Sequence, residues 1–258
     1  MRLPVSIALL CMSMSALAAD KIEDKFAQLG ELLPTPTSVR AASGAPGHAY
    51  WQQRADYVIR ASLDESKRAI TGAETITYHN NSPDTLNYLW VQLDQNIFRP
   101  DSDANKTRTL PSRDAWKNPN SVSFQAMEIL NERENFDGGF KIAAVKGAGG
   151  QSLKYVINRT MMRIDLPQPL KPGQQFVFSI DWSYNIGNGK LLGGRDGYEH
   201  FKEDKNDIFE IAQWFPRMAA YYDVYGWQHK QFLGSGEFTL EFGDYDVQLT
   251  VPSDHVVS

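Results

Sequence analysis

The stretch 170–182, LKPGQQFVFSIDW, constrains the fold more than any other part of this chain. Pro172-Gly173 suits the two central positions of a tight turn, because proline presets the first φ and glycine accepts the positive φ that follows. Directly after it, Phe176, Phe178, Ile180 and Trp182 occupy alternate positions. Successive side chains of a strand point to opposite faces, so these four form one bulky apolar face. Such a face has to be covered by a second layer.

The same period recurs along the chain. Tyr57, Ile59, Ala61 and Leu63 alternate with polar or small neighbours, and residues 75–79 and 86–93 flank an Asn80-Asn81-Ser82-Pro83 turn. Further predicted strands are 122–130, 140–145, 153–157, 161–166 and 238–250, punctuated by Asp137-Gly138-Gly139 and the glycine-rich 147–150. Helical period is confined to 20–33, where Phe26, Leu29, Leu32 and Leu33 share a face and Pro34 and Pro36 end the run. Residues 99–120 and 185–206 read as long irregular loops, a length usually tied to function, interfaces or disorder. The predicted fold is all-β, a large antiparallel β-sandwich or saddle.

The amino terminus reads as a secretory signal peptide: Arg2, then the apolar run 3–14, then Ala16-Leu17-Ala18, with cleavage near Ala18 or Ala19. Export to the periplasm or secretion follows. The apolar run is too short for a bilayer span of about 20 residues, so no integral membrane segment is predicted. The one cysteine, Cys11, lies inside this signal, which leaves the exported chain without a disulfide and dependent on packing for stability. A net charge of −5 and the lack of any Lys/Arg run beyond a dipeptide exclude a nucleic-acid surface. The chain thus divides into a signal peptide (1–19), a short helix and linker (20–49) and a β-domain (50–258).

Reactive motifs are scarce. His48, His79, His200, His229 and His255 form no H-x-H, H-E-x-x-H or i,i+4 pair, so no zinc site is predicted. Asp101-Ser-Asp103-Ala-Asn105 opens like a calcium loop, but Lys106 replaces the glycine the turn needs and Ser112 the bidentate glutamate. Gly187-Asn-Gly189-Lys190 lacks P-loop spacing, and no G-x-S-x-G occurs. What remains is 209–217, FEIAQWFPR. Gln213 and Glu210 can orient a polar ligand, Arg217 can clamp a carboxylate, and Asp223 can hold Arg217 in place. The competing reading is a strand end with aromatics in the core and a purely structural Arg217–Asp223 pair.

The block QWFPRMAAYYDVYGWQ, followed by FLGSGEFTLEFGDYDVQLTVP, resembles the end of the N-terminal β-domain of the aminopeptidase N and leukotriene hydrolase family of zinc metallopeptidases, the gluzincins. YWQQRADY at 50–57, Gly72-Ala73-Glu74, NNSPDTL at 80–86 and Leu170-Lys171-Pro172-Gly173 extend the resemblance over most of 50–257. It implies an exopeptidase that removes N-terminal residues from peptide substrates. Its zinc and every reactive group would belong to a C-terminal catalytic domain, expected beyond Ser258. None of that domain's motifs occurs here, so this chain alone is expected to be inactive and to bind no zinc. The family's β-domain supplies an acid or amide that holds the substrate's α-amine, just before an F-x-R-x5-D frame. Phe215, Arg217 and Asp223 fit that frame, with Gln213 and Glu210 the anchor candidates and Arg217 and Asp223 their structural support. The usual Q-x-[EQ] order is not reproduced, since Phe209 and Ile211 occupy its nominal positions. The alternative is a self-standing exported β-sandwich that binds peptide or glycan through Trp116, Trp214 and Trp227.

Overall fold

The computed structural model describes residues 36–107, 123–193, 195–203 and 205–258. The expected signal peptide, the helix at 20–33 and Trp116 lie outside the described residues. The expected alternation organises the core. In β7 (Gln175–Asn185), Phe178, Ile180, Trp182 and Tyr184 are all buried, each ring or aliphatic chain contributing about 1.5–3 kcal/mol on leaving water. Strand β2 (Ala69–His79) pairs antiparallel with β7 along its whole length and with β1 (Arg54–Asp64) on its other side. The five-stranded sheet is completed by β4 (Lys141–Gly147) beyond β7 and β13 (Tyr245–Thr250) beyond β1. Gly72 of β2 sits opposite Trp182, and a Cβ there would overlap the indole ring.

A four-stranded sheet supplies the second layer, in the order β10 (Arg217–Met218), β3 (Leu86–Gln92), β6 (Met161–Leu170) and β5 (Tyr155–Asn158). Leu89, Val91, Met162 and Ile164 from this sheet join Ile59, Ile76 and Ile180 from the other in one continuous core. The layers are also tied by a polar contact, in which the Met218 N–H donates to the Tyr57 phenol oxygen at 2.8 Å.

Four sequence expectations change. Of 122–130, predicted as a strand, residues 124–130 belong to α2 (Phe124–Asn135). Ser123 caps it by accepting the Ala126 N–H, and FQAMEILNEREN is rich in helix formers without a period of two. The expected loop at 185–206 contains a short helix α3 (Gly189–Leu192) and a hairpin of β8 (Asp196–Phe201) with β9 (Asn206–Ile211). Cross-strand partners Tyr198 and Phe209 and the His200–Asp207 side-chain hydrogen bond at 2.6 Å hold that hairpin. Of 238–250 only β13 is strand, and it runs parallel to β1, the one parallel pair among the described strand pairs of an otherwise antiparallel fold. Finally, part of the expected irregular loop at 99–120 is helical, in α1 (Asp103–Thr107). No helix among the described residues is long and apolar enough to cross a membrane.

Among the described residues, one of the buried side chains without a hydrogen-bond partner is a carboxylic acid. Glu74 lies on the buried face of β2, and both its carboxylate oxygens are buried without a hydrogen-bond partner. Burial pushes its carboxyl well above the usual carboxylate range. A group raised in the folded state favours folding fully only below its unfolded pKa, so its contribution is lost as pH rises towards the folded value. Glu74→Gln is therefore expected to stabilise the chain at pH 8 by about 1–3 kcal/mol relative to wild type, and less at pH 5. Denaturant unfolding at both pH values checks this; an equal shift at the two would contradict it.

Candidate functional site

The hairpin β8–β9 returns the chain to the end of β3, and a cavity of about 370 Å³ forms there. Its polar lining consists of Asp94, Gln95, Arg195, Asp196, Gln213 and Glu237. Asp94 and Gln95 begin the short 3-10 helix Asp94–Phe98 that follows β3 and are themselves buried. Asp196 opens β8 directly opposite Ile211, the last residue of β9, so the chain leaving β9 passes beside it. Gln95 stitches these segments together: its amide nitrogen donates to the Asp196 carboxylate and, at 3.0 Å, to the Ala212 carbonyl.

Two carboxylates differ sharply here. Asp94 is 2% exposed and accepts Arg217 through Nε at 3.0 Å and through Nη2. Burial pushes its carboxyl upward and the guanidinium offsets part of that shift. Asp196 has no cation partner among the described residues. Burial first, and the nearby Glu210 charge second among the raising influences, push its carboxyl up to about 7 against the Gln95 amide and the Gly197 N–H. Across the cavity, Arg195 and Glu237 form an ion pair.

Gln213 lies in the left-handed region at φ 52°, a conformation that costs a side-chain-bearing residue about 1–3 kcal/mol and recurs at functional sites. Its amide makes no hydrogen bond among the described residues, so it is available to a ligand in the cavity it lines. Glu210 is exposed and opposite Gly197; it is not part of the lining and acts on the cavity only through its charge on Asp196. The structure therefore brings Gln213 to the site, leaves Glu210 outside it, and adds Asp196 and Gln95. Sequence reasoning missed Asp196 because its segment read as an irregular loop; only the β8–β9 pairing gives it a place.

The expected Arg217–Asp223 pair is not formed. Strand β10 pairs with β3, with Arg217 opposite Gln92, which brings the guanidinium to Asp94 two residues on. Asp223 lies in the turn between β11 (Tyr221–Tyr222) and β12 (Gly226–Trp227), where it accepts Arg40 Nε at 2.7 and 2.9 Å. Arg217 is thus committed to a buried partner rather than to a substrate carboxylate. The aromatic alternative also changes: Trp214 packs on Trp182 and Phe215, and Trp227 is buried between Tyr78 and Tyr221. Asp101 and Asp103 are paired with Arg159, and among the described residues no group of three His, Cys, Asp or Glu is placed to hold a metal ion.

No family model matches the chain, and no curated protein matches it. Among solved structures, an M1 zinc metallopeptidase from Deinococcus radiodurans is similar, with 13% identity over 81% of this chain and 34% of that chain and a TM-score of 0.38. A mutant two-domain M1 zinc metallopeptidase bound to L-arginine is similar over 78% of this chain and 33% of that one, at 13% identity and a TM-score of 0.38. The chain spans about a third of the length of these structures. A likeness at this level decides neither family nor chemistry.

Because Asp196 is raised in the folded state, its contribution to stability is lost as pH climbs from the ordinary carboxylate range through about 7. A carboxyl-carbon NMR titration of Asp196 is expected to show a midpoint near 7, absent in Asp196→Asn. A midpoint below about 5 would contradict a buried carboxyl without a cation.

Proposed function

We propose that this chain is the N-terminal β-domain of an exported zinc metallo-aminopeptidase and that the Gln213–Asp196 cavity holds the free α-amine of a peptide substrate. The sequence resemblance over 50–257 supports the first part, and the secretory pattern of 1–19 supports export to the periplasm or beyond. The observation that carries the second part is the pairing of a cation-free, half-buried carboxylate with an unpartnered amide in one cavity. An ammonium entering there supplies the charge Asp196 lacks, and the Gln213 amide oxygen can accept one of its remaining protons. Once bound, it also draws the Asp196 carboxyl back into its ionised form.

The described residues of this chain do not fit a zinc ion. By the family resemblance, zinc and bond cleavage would belong to the catalytic domain of such an enzyme, and the part proposed for this chain is substrate positioning. Its part is to orient: fixing the α-amine sets how far the first peptide bond extends from the β-domain, which is where a rigid anchor lowers the cost of reaching the reactive geometry. Gln213 and Asp196 are favoured over Glu210 for this role because Glu210 faces solvent. The packing of Trp214 and Trp227 weighs against the alternative of a self-standing peptide- or glycan-binding sandwich built on those rings.

NMR titration with L-leucinamide, which has a free amine, tests the anchor. Shifts are expected at residues 195–197 and 212–214, reduced in both Gln213→Ala and Asp196→Asn, and absent with N-acetyl-leucinamide. Equal shifts with the acetylated ligand would exclude an amine anchor at this cavity.

A further inference from the structure

A second cavity of about 370 Å³ opens on the other side of the 237–242 segment, between the residues leading into β1 and the β11–β12 hairpin. Trp51, Tyr221, Tyr222 and Phe242 contribute rings to its wall, and Glu241 contributes a carboxylate. Trp51 stacks on Tyr221 at 5.8 Å, and the Tyr221 hydroxyl donates to Asp84 at 2.8 Å, so this part of the wall is fixed. Phe242, by contrast, is 77% exposed, an unusual position for a large apolar side chain beside a cavity.

The charges in the wall do not balance. Arg40 is spent on Asp223 and lies over the Tyr50 ring at 5.3 Å. Glu237, on the rim shared with the first cavity, is paired with Arg195. Glu241 accepts one backbone bond, from the Tyr221 N–H at 2.7 Å, and has no ion pair among the described residues. Burial pushes its carboxyl up to about 7, because a negative charge without a counter-ion is poorly solvated there. A desolvated carboxylate in a cavity wall that also carries the Trp51, Tyr222 and Phe242 rings favours an organic cation, through a charge-assisted hydrogen bond and cation–π contact. An anionic ligand would meet Glu241 and find Arg40 already neutralised. A neutral sugar would leave the Glu241 carboxylate without a counter-ion.

We propose that this cavity binds the cationic side chain of a peptide, arginine or lysine, with Glu241 as counter-ion and Trp51, Tyr222 and Phe242 around the aliphatic stem. Long basic side chains suit it because their methylene stems pack on apolar surface while the head seeks charge. Neither Gln213 nor Asp196 takes part, so this site stands or fails separately from the α-amine site.

The test uses Nα-acetyl-argininamide, whose blocked amine cannot enter the first cavity, and its neutral near-isostere Nα-acetyl-citrullinamide. Binding is followed by calorimetry and by tryptophan fluorescence, with the Trp51 contribution taken as the part of the change lost in Trp51→Phe. The arginine ligand is expected to bind saturably and roughly tenfold more tightly than the citrulline ligand, as loss of a charge-assisted contact implies. Glu241→Gln is expected to erase that difference while retaining the Tyr221 N–H bond, and Phe242→Ala, at an exposed position, to weaken arginine binding a few-fold. Asp196→Asn is expected to leave it unchanged. Equal binding of the two ligands, full affinity in Glu241→Gln or Phe242→Ala, or no saturable binding at millimolar concentrations would each overturn the proposal.

Discussion

The Asp94–Arg217 ion pair is the contact on which the rest of the candidate site depends. It joins the end of β3 to the two-residue strand β10, which is too short to hold its register through backbone bonds alone. With Arg217 fixed, the preceding 212–216 segment has one path across the molecule, and Gln95, the neighbour of Asp94, fastens that path by bonding both Ala212 and Asp196. The Gln213 backbone, held at positive φ, lies between these two constraints. A strained residue persists where its surroundings over-determine it, and here a buried salt bridge and a side-chain amide do so. Such a pair adds little net stability over well-packed apolar residues, but breaking one half leaves a buried charge, at a cost of about 3–5 kcal/mol. It therefore acts chiefly on geometry.

Beneath this site the two sheets form an apolar core with polar groups at specific places. The Tyr57–Met218 bond connects the sheets immediately beside Arg217, and Glu74 sits on the same buried face as Ile76 and Ile70. Both cavities are placed by the segments that follow this core. Each contains one carboxylate, Asp196 or Glu241, that burial has raised and that no cation among the described residues has paired. The chain is acidic as a whole, yet these two groups differ from its surface carboxylates, which are mostly partnered by Lys or Arg or open to water. A desolvated carboxylate costs stability, so its position in a cavity wall is the more informative.

The sandwich was legible in the sequence because its signals are local. The Phe176–Trp182 alternation, the Pro172-Gly173 turn and the paired periods of β1 and β2 each follow from side chains a few residues apart. Gln213 was legible as a polar residue within an aromatic run. The errors have physical causes. Residues 122–130 carry enough apolar side chains to resemble a strand, but the Ser123 cap and the helix-forming 124–135 decide the outcome. The β8–β9 hairpin hid behind glycine and charge, and its stabilising Tyr198–Phe209 pair spans eleven residues. Asp223 lay at the expected spacing from Arg217, but ion pairing is decided across sheets: the partner of Arg217 is 123 residues away, and that of Asp223 is 183 away. Asp196 and Glu241 become notable only through burial and the lack of a counter-ion, neither of which a linear pattern displays.

A double-mutant cycle on Arg217→Met and Asp94→Leu, measured by denaturant unfolding, tests the role of the central pair most directly. Each single change is expected to cost about 3–5 kcal/mol, because it strands a buried charge or forces its neutralisation, while the double change recovers most of the loss. The same double variant is expected to lose the Asp196 titration near 7, as the 212–216 path relaxes and water reaches the cavity. Single changes below about 1 kcal/mol that add in the double variant, with the Asp196 titration intact, would contradict the account.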